Sequence, residues 1–499
     1  MTFYKDLKDQ QLLLPLNIRD MIPENHICFL VDEIVQKMDL IEYETKYEGA
    51  GHPAYHPKII LKLLILGIID GIRSSRKIAK NARENVVYMY LAGLLKPDFR
   101  TISDFRKNNL NLVKLSFQET VKYARDLGMV SLGHICIDGT KIKANASNHS
   151  AIKKDEFSEL KELIKNELEE GIKVDEAEDE IYGDKNIDEL PDNITRKALI
   201  ERIREKYQSG DKHKKDKIKI HIQKVDTEME NTESAISFTD PESKFMPNSD
   251  NVKKFSYNPQ VAVDSSCGII IANDTTSEAT DRDNLQPQIK QVEENVGQLP
   301  EGTKITADNG YYSSKNLKFL LSKGLDGYIP DLNESIRMKG KQVKDCGPFS
   351  REKFRYDPEG DFYICPNDQK LTFRYEYLDI NVNRNVRRYW GTSCKQCPDM
   401  KSCTKNFREG RVIKDYEGME LERSKMKEKM STEYGRHIYH IRKKVVERIF
   451  GNIKANLGFR EFLLRGRKGA KIEFNLACIA SNLRRIWNYF DGYEGKTTL

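Results

Sequence analysis

Three acidic residues stand where a fold could bring their carboxylates together. Asp138 ends the apolar stretch HICID and Asp308 ends the stretch KITAD. Glu447 is the single carboxylate on a helical face that otherwise carries His440, Lys443 and Lys454. Carboxylates gathered at strand ends repel one another unless a hard cation neutralises them, and such oxygen ligands suit Mg²⁺ or Mn²⁺. The three acids are therefore a candidate site for metal-assisted catalysis.

Each acid also has an ordinary structural explanation. Asp138 precedes a glycine, and Asp308-Asn309-Gly310 is a stronger turn signal still, because Asp, Asn and Gly dominate turns. A charged helix face such as that of Glu447 is commonly only solvated. Either aspartate alone is as well explained by a turn, whereas the combination of both with the Glu447 helix favours a site. Two ions there would bind the attacking and leaving oxygens of an in-line phosphoryl displacement, with water or a 3′-hydroxyl as the nucleophile.

The distribution of charge indicates the partner. The net charge is only +6, but Lys and Arg outnumber Asp and Glu by 14 to 6 in residues 51–130 and by 13 to 3 in residues 436–490. Residues 155–192 have the opposite balance, 4 to 16. Clustered positive charge is typical of proteins that bind a phosphate backbone. Nucleic acid is therefore the expected partner.

Composition excludes several other classes. No apolar run approaches the roughly 20 residues of a membrane span. The N-terminal residues MTFYKDLKDQ lack the basic and apolar regions of a secretory signal. Nine cysteines scattered over 499 residues suit a reducing compartment better than a disulfide framework. We therefore expect a cytoplasmic protein with no membrane partner.

Residues 1–132 are expected to form an all-α, DNA-binding domain. From His56 onward, helical apolar spacing is interrupted by breaks near Gly71 and Pro97, and serines at the helix starts are good N-caps. Short basic helices joined by tight breaks resemble a helix-turn-helix arrangement, although a scaffold with a solvated basic face explains them equally well. The candidate DNA contacts in this domain are Arg73, Arg76, Lys77, Lys80, Arg100, Arg106 and Lys107.

The rest of the chain predicts an interrupted α/β core. Strand patterns recur at 134–144, 255–264, 267–274, 304–307 and from Gly327, with helices between them, which describes a mixed sheet covered by helices in residues 133–331 and 436–490. Residues 150–235 are expected to be a helical, coiled-coil-like insertion. The overall prediction is an α+β multidomain protein with a second, Cys-rich insertion at 332–435.

The Cys-rich insertion is a candidate zinc module. Cys394 and Cys397 are separated by two residues, and Cys365 and Cys403 flank them. Thiolates at this spacing can close a tetrahedral zinc site, and zinc is favoured over a disulfide in a reducing compartment. Cysteines without a ligand are the alternative. The preferred ligand set for a structural Zn²⁺ is Cys365, Cys394, Cys397 and Cys403.

The motifs around the three acids resemble those of a known family. IDGTKIKANAS around Asp138, ADNGYYSS around Asp308 and VERIFGNIK around Glu447 look like the three catalytic blocks of bacterial insertion-sequence transposases of the DDE type. The segment from YHPKIILKLLILG to TISDFRK resembles the helical domain that often precedes their catalytic core. The Cys-rich insert is also like that of a subgroup of this family.

The resemblance implies a fold, an activity and partners. It implies a ribonuclease H-like core with two Mg²⁺ or Mn²⁺ ions held by Asp138, Asp308 and Glu447. It implies hydrolysis of the phosphodiester at element ends and transfer of the freed 3′-hydroxyl into target DNA. The partners would be double-stranded DNA, as terminal inverted repeats and as target, and a second copy of the chain in a dimeric synaptic complex at the bacterial nucleoid.

The basic residues near Glu447 follow the family pattern only in part. The family's helix commonly carries Tyr, Arg, Glu and Lys at set intervals; Lys454 fits, whereas His440 and Lys443 occupy the first two places. Tyr439 and Arg442 lie one residue early, and a slip of one residue turns a side chain by about 100° around the helix. The expected DNA contacts on this helix are His440, Arg442, Lys443 and Lys454.

Two other functions fit the same residues. A DNA-binding regulator that has lost catalysis would use the N-terminal helices and the zinc module, although every catalytic block here retains its acid. A stand-alone nuclease with the same core would cut DNA without joining it. Strand-cleavage and strand-transfer assays separate the three functions.

Overall fold

The structure, a computed structural model, describes most of the chain outside the acidic insertion. The described residues are 17–40, 43, 54–146, 151–152, 158, 212–230, 235–247, 252–343, 347–380, 384–391, 393–416 and 418–494. The acidic half of the predicted helical insertion, from Lys153 to Asp184, lies outside the described residues apart from residue 158. The second half contains one helix, α7 at Lys212–Glu230.

The first part of the chain is helical, as its apolar spacing predicts. A histidine and a serine that precede helices, His56 and Ser74, accept hydrogen bonds from the first-turn amides as N-caps. Asn85 ends one helix and caps the next, which divides a stretch predicted to be continuous. The helices are α1 Ile27–Lys37, α2 Pro57–Ile69, α3 Ser75–Glu84, α4 Val86–Leu91, α5 Phe99–Asn108 and α6 Leu110–Asp126.

A seven-stranded mixed sheet follows. Its central path runs β2, β6, β1, β8, β9; the long strand β6 also pairs with β5 near its start and with β7 near its end. β1 is antiparallel to β6 and parallel to β8, which is parallel to β9. The strands are β1 His134–Gly139, β2 Ile142–Lys143, β5 Lys244–Pro247, β6 Lys253–Asp264, β7 Ile270–Thr276, β8 Lys304–Thr306 and β9 Asp326–Tyr328.

The pairing of β1 with β8 stops just before the acids. Its last pair is Cys136 with Thr306, so Asp138 and Asp308 each lie two residues beyond the end of this ladder. Because the two strands are parallel, both acids emerge at the same edge of the sheet. The separate pair β3 Ala151–Ile152 and β4 Ile236–Ser237 forms a small two-stranded sheet.

Helices cover the mixed sheet and join it to the N-terminal helices. Apolar side chains from the sheet, the first helices and the last helix form one continuous buried cluster. The last helix begins beyond the π-helical turn Asn452–Asn456 and packs against both the sheet and the N-terminal helices. These helices are α8 Leu285–Val296, α9 Ser314–Ser322, α10 Leu332–Met338, α12 Glu420–Ser431, α13 Glu433–Gly451 and α14 Gly466–Glu494.

The Cys-rich region forms its own antiparallel sheet, which the sequence analysis does not predict. Its five strands follow one another in chain order. They are rich in Tyr, Arg and Lys rather than in aliphatic residues, so the alternation that marks a strand is weak here. The elements are β10 Arg355–Asp357, β11 Phe362–Ile364, β12 Lys370–Asp379, β13 Arg384–Trp390, α11 Met400–Cys403 and β14 Val412–Tyr416. In the described part of the chain no helix is long and apolar enough to cross a membrane.

Candidate active site

The two predicted aspartates meet at the carboxyl ends of β1 and β8. Asp138 Oδ1 accepts the backbone N–H of Gly139 at 2.9 Å. Asp308 Oδ1 accepts that of Gly310 at 2.8 Å and so caps the short 3₁₀ turn Asn309–Tyr311. Both aspartates therefore make the hydrogen bonds of a turn. These bonds fix each carboxylate at the sheet edge and are compatible with a site there.

Burial shapes the protonation of both acids. It raises the pKa of Asp138 to about 6, against the opposing effect of the nearby Arg442 guanidinium, and the carboxylate of Asp308 adds to the rise. Burial also raises the pKa of Asp308, again opposed by Arg442. Two neighbouring carboxyl groups whose ionisation is disfavoured form a site at which a bound cation would be stabilised.

Arg442 is the buried cation of this site. Its Nη1 donates to Asp138 Oδ2 at 2.5 Å, and its Nη2 donates to the Tyr439 hydroxyl at 3.2 Å. Only 10% of the Arg442 side chain is exposed. Both residues lie on α13, at the register that departs from the family pattern. In this structure Arg442 therefore binds a protein carboxylate, whereas the sequence analysis expects it to bind DNA.

Asp281 is a third acid near the first two, and the sequence does not single it out because an Asp shortly before a helical stretch is an ordinary N-cap candidate. The N-cap of α8 is Asn284. Asp281 Oδ1 instead accepts from Asn258 Nδ2 at 2.6 Å and from Gln260 Nε2 at 2.8 Å. A methyl group added at Gly139 would lie 2.9 Å from this same oxygen. The Asp281 carboxylate is thus packed against the loop that carries Asp138.

A polar network links the two acid-bearing loops through Asp281. Gln260 accepts a hydrogen bond from Tyr311, which follows the Asp308 turn. Lys141 Nζ, from the Asp138 loop, lies 3.5 Å from Asp281 Oδ1. The signal for this network in the sequence is the pair Asn258 and Gln260, the two polar residues in the otherwise apolar run from Tyr257 to Val263, and both are fully buried in the structure.

Glu447 and its basic neighbours lie on the outer side of α13. The Glu447 side chain is 65% exposed and its Oε1 is 4.0 Å from Lys443 Nζ. His440 is exposed as well, and burial lowers the pKa of Lys454 in the π-helical turn. The structure therefore brings Asp138 and Asp308 together with Arg442 and Asp281, whereas the Glu447 side chain faces solvent beside Lys443.

The basic residues predicted in the N-terminal helices divide into two groups. Arg73 and Arg106 are buried: Arg73 Nη2 lies 3.2 Å from Glu473 Oε2 and Arg106 Nη1 lies 3.7 Å from Glu473 Oε1, on α14. These two arginines join the N-terminal helices to the last helix. The exposed group is Arg76, Lys77, Lys80, Arg100 and Lys107.

The four predicted zinc-ligand cysteines line one small cavity beside the five-stranded sheet. Cys365, Cys394, Cys397 and Cys403 are all free thiols there. Burial raises the pKa of the Cys403 thiol, and the other three add to this rise against Arg411. Over the described residues, no three or more His, Cys, Asp or Glu side chains stand in a group that could hold a metal ion. Within those residues, neither the acids at the sheet edge nor the four thiols form such a group as they stand.

Comparison with known proteins gives two family matches. Residues 364–487 match the family described as "Transposase DDE domain", which here includes α13, Glu447 and the four cysteines. Residues 16–108 match "Transposase domain (DUF772)", which here is the set of helices α1 to α5. No curated protein matches the chain.

Among the similar solved structures is one that covers most of the chain. It is the cryo-EM structure of a piggyBac transposase synaptic complex with hairpin DNA, with 10% identity and a TM-score of 0.33, covering 94% of this chain and 76% of that one. A likeness this weak carries no argument about the present fold. The two family matches lie in separate parts of one sequence, and both describe transposase domains, the one at residues 364–487 being of the DDE type.

Proposed function

We propose that this protein is a DNA transposase that hydrolyses the phosphodiester at the ends of its element and joins the freed 3′-hydroxyl to target DNA. The observation that carries the proposal is the pair Asp138 and Asp308 at the ends of adjacent parallel strands, both opposite Arg442. The mixed sheet would be the ribonuclease H-like core of residues 133–331 and 436–490, interrupted by the insertions at 150–235 and 332–435. Residues 1–132 would bind DNA.

A divalent cation fits the two aspartates. They are partly buried carboxylates at one sheet edge, and burial raises the pKa of each, so a hard cation would relieve the cost of their charges. We propose that Asp138 and Asp308 hold Mg²⁺ or Mn²⁺, and that Glu447, whose side chain is exposed on α13 in this structure, turns toward them as the third ligand when the ion binds. Two such ions would stabilise the charge that develops on the attacking and leaving oxygens of phosphoryl transfer.

The protein's own side chains prepare this edge of the sheet. Arg442 holds one oxygen of Asp138 in place, and the backbone amide of Gly139 holds the other. The network through Asp281 holds the two loops against each other beyond the end of the β1–β8 ladder. Fixed carboxylates lose little entropy when a ligand binds, so the site is organised before the substrate arrives.

The exposed basic residues are proposed to hold the DNA. Lys443 and His440 extend from α13 into solvent, and the N-terminal helices contribute Arg76, Lys77, Lys80, Arg100 and Lys107. The half-buried Lys454 on the π-helical turn is proposed to add to them. Their contribution would be electrostatic, with affinity falling as salt rises. Two copies of the chain would synapse two element ends at the nucleoid.

The cysteine cluster is proposed to hold a structural Zn²⁺, which requires the four thiols to rearrange from their positions in this structure. Four free thiols line one cavity, and four thiolates are a common donor set for tetrahedral zinc. Purified protein should then contain about one zinc per chain, and Cys397→Ser should lose it. Elemental analysis that finds no zinc in the native chain would refute this part of the proposal.

The decisive experiment is cleavage of DNA that carries the element's own ends, with Mg²⁺ present. Asp308→Asn and Glu447→Gln should each abolish nicking while DNA binding survives, because each removes a charged metal ligand without removing a basic residue. Glu433→Gln, an exposed glutamate on the same helix α13, is the matched control and should cut normally.

The products of this assay also separate the other functions. Native protein that binds the ends but never nicks them would be a DNA-binding regulator. Native protein that nicks but fails to join pre-cleaved ends to a target would be a stand-alone nuclease. Unchanged cleavage by both Asp308→Asn and Glu447→Gln would overturn the proposed site.

A further inference from the structure

The five-stranded sheet has one face on which aromatic and cationic side chains alternate. Tyr375 on β12 is opposite Arg388 on β13, and Arg388 is opposite Lys414 on β14, so the three share a face. Trp390, two residues beyond Arg388, lies on that face too. Tyr375 is 41% exposed, and Trp390 is half-buried. The opposite face carries Leu371, Tyr389 and Ile413 into the small core of this region.

The cations stand over the rings of this face. The guanidinium carbons of Arg374 and Arg388 each lie 5.3 Å from the centre of the Trp390 ring. The rings of Tyr375 and Trp390 meet edge to face with centres 5.8 Å apart. Arg388 Nη1 also donates to the Tyr375 hydroxyl at 2.5 Å. The rings are therefore held in fixed orientations beside positive charge.

The protein neutralises part of the positive charge of this face. Arg388 pairs with Glu409 at 2.7 Å. Within the residues that the structure describes, Arg374 and Lys414 make no ion pair, and Glu376 is opposite Arg387 on the other face. Partly exposed aromatic rings beside Arg374 and Lys414, two cations without an acidic partner among the described residues, suit a partner that offers both flat π-faces and negative charge. A protein partner with an apolar surface would leave these cations without counter-charge.

We propose that this face binds an unpaired stretch of DNA, with bases stacked on Tyr375 and Trp390 and phosphates held by Arg374 and Lys414. Duplex DNA offers the phosphates but keeps its base faces stacked on one another, so it cannot use the rings. The inference rests on the proposed function, since cleavage at element ends exposes unpaired strands. The five-stranded sheet would help to bind these strands.

The test uses the fluorescence of Trp390, one of only two tryptophans in the chain. Trp487→Phe leaves Trp390 as the only indole, and a base stacked on it should quench its emission. A thymidine oligonucleotide should give saturable quenching in EDTA, with affinity at least about tenfold higher than that of a duplex of equal length. The reciprocal variant Trp390→Phe, which keeps Trp487, should lose the quenching.

Two further variants test the roles of the ring and the cation. Tyr375→Ala should weaken binding of the oligonucleotide by about tenfold, the low end of what one lost base stack costs. Its matched control is Tyr489→Ala on α14, a tyrosine with the same 41% exposure, which should bind normally. Arg374→Ala should reduce the slope of log affinity against log salt by about 0.7, as for one lost phosphate contact on a single strand.

The results separate this inference from the proposed function. Binding is measured without divalent ions and without element ends, so it does not depend on cleavage. Equal affinity for single strand and duplex, absence of quenching, or unchanged binding by Tyr375→Ala in a folded protein would overturn the inference. Cleavage that disappears in Asp308→Asn would still support the catalytic site.

Discussion

In the seven-stranded sheet and the helices packed on it, three arginines are buried against carboxylates, whereas on the five-stranded sheet the pair of Arg388 and Glu409 reaches solvent. Arg442 is held by Asp138, and Arg73 and Arg106 are held by Glu473, each arginine about 10% exposed. On the second sheet Arg388 pairs with Glu409, whose side chain is 39% exposed. The same residue types therefore meet different solvent environments in the two regions.

This difference determines what each charge contributes. A charge that is removed from water needs an oppositely charged partner. A buried ion pair therefore favours only the arrangement of helices and strands that keeps its two residues together. An exposed pair is screened by water and contributes little to stability, which leaves its cation available to a ligand. The first region uses charge to hold its elements in place, and the second presents charge to a partner. Four variants test this contrast.

The largest effect is expected when the buried carboxylate between two arginines is removed. Glu473→Gln leaves Arg73 and Arg106 buried without a counter-charge, which should lower the free energy of unfolding by about 3–5 kcal/mol. Urea denaturation followed by circular dichroism measures this. A loss below about 1 kcal/mol would show that water reaches these arginines, and the contrast between the regions would fail for this pair.

The next effect concerns the acid that the sequence analysis misses. Asp281→Asn removes a charge from the network that joins the two catalytic loops, so Mn²⁺ affinity should fall by about 10–100-fold, as for other residues that support metal ligands. Titration calorimetry with Mn²⁺ gives the affinity. Asp283→Asn is the matched control, since Asp283 lies two residues away with its side chain 70% exposed. Equal affinity in both variants would exclude a role for Asp281 in holding the site.

A buried histidine gives the mixed sheet a pH dependence. Burial lowers the pKa of His134 to about 4, below the value near 6.5 of an unfolded chain. As the pH drops, His134 is therefore protonated first in the unfolded chain. The free energy of unfolding should fall as the pH decreases from 7.5 through 6.5 toward 4. The loss attributable to His134 is about 2 kcal/mol at pH 5. His134→Gln should remove this part of the acid dependence of urea midpoints; an identical pH profile in the variant would contradict it.

The smallest effect is expected on the second sheet. Glu409→Gln removes the partner of Arg388, yet the free energy of unfolding should change by less than about 1 kcal/mol because both side chains reach solvent. Loss of this acid should at the same time strengthen oligonucleotide binding. A destabilisation as large as that of Glu473→Gln would erase the distinction between the two regions.

Local patterns account for much of what the sequence predicts correctly. The N-cap Ser74, the strand that carries Asp138 and the strands β6 and β7 depend on neighbouring residues, so they can be predicted from a short window of sequence. The five-stranded sheet escapes prediction because its strands are half-exposed and carry Arg and Tyr. The position of Asp281 escapes it because Asp is also a common cap, and only long-range contacts distinguish the two roles.

The sequence by itself determined the acidic motifs, the cysteine spacing and the regional charge, since these are properties of residue order. The tertiary structure decided which charges face inward. Arg442 and Lys443 are adjacent on one helix, yet Arg442 is buried against Asp138 while Lys443 is 61% exposed beside Glu447. The reason is physical: neighbouring helical side chains point about 100° apart, and only packing against the sheet decides which of them leaves the solvent.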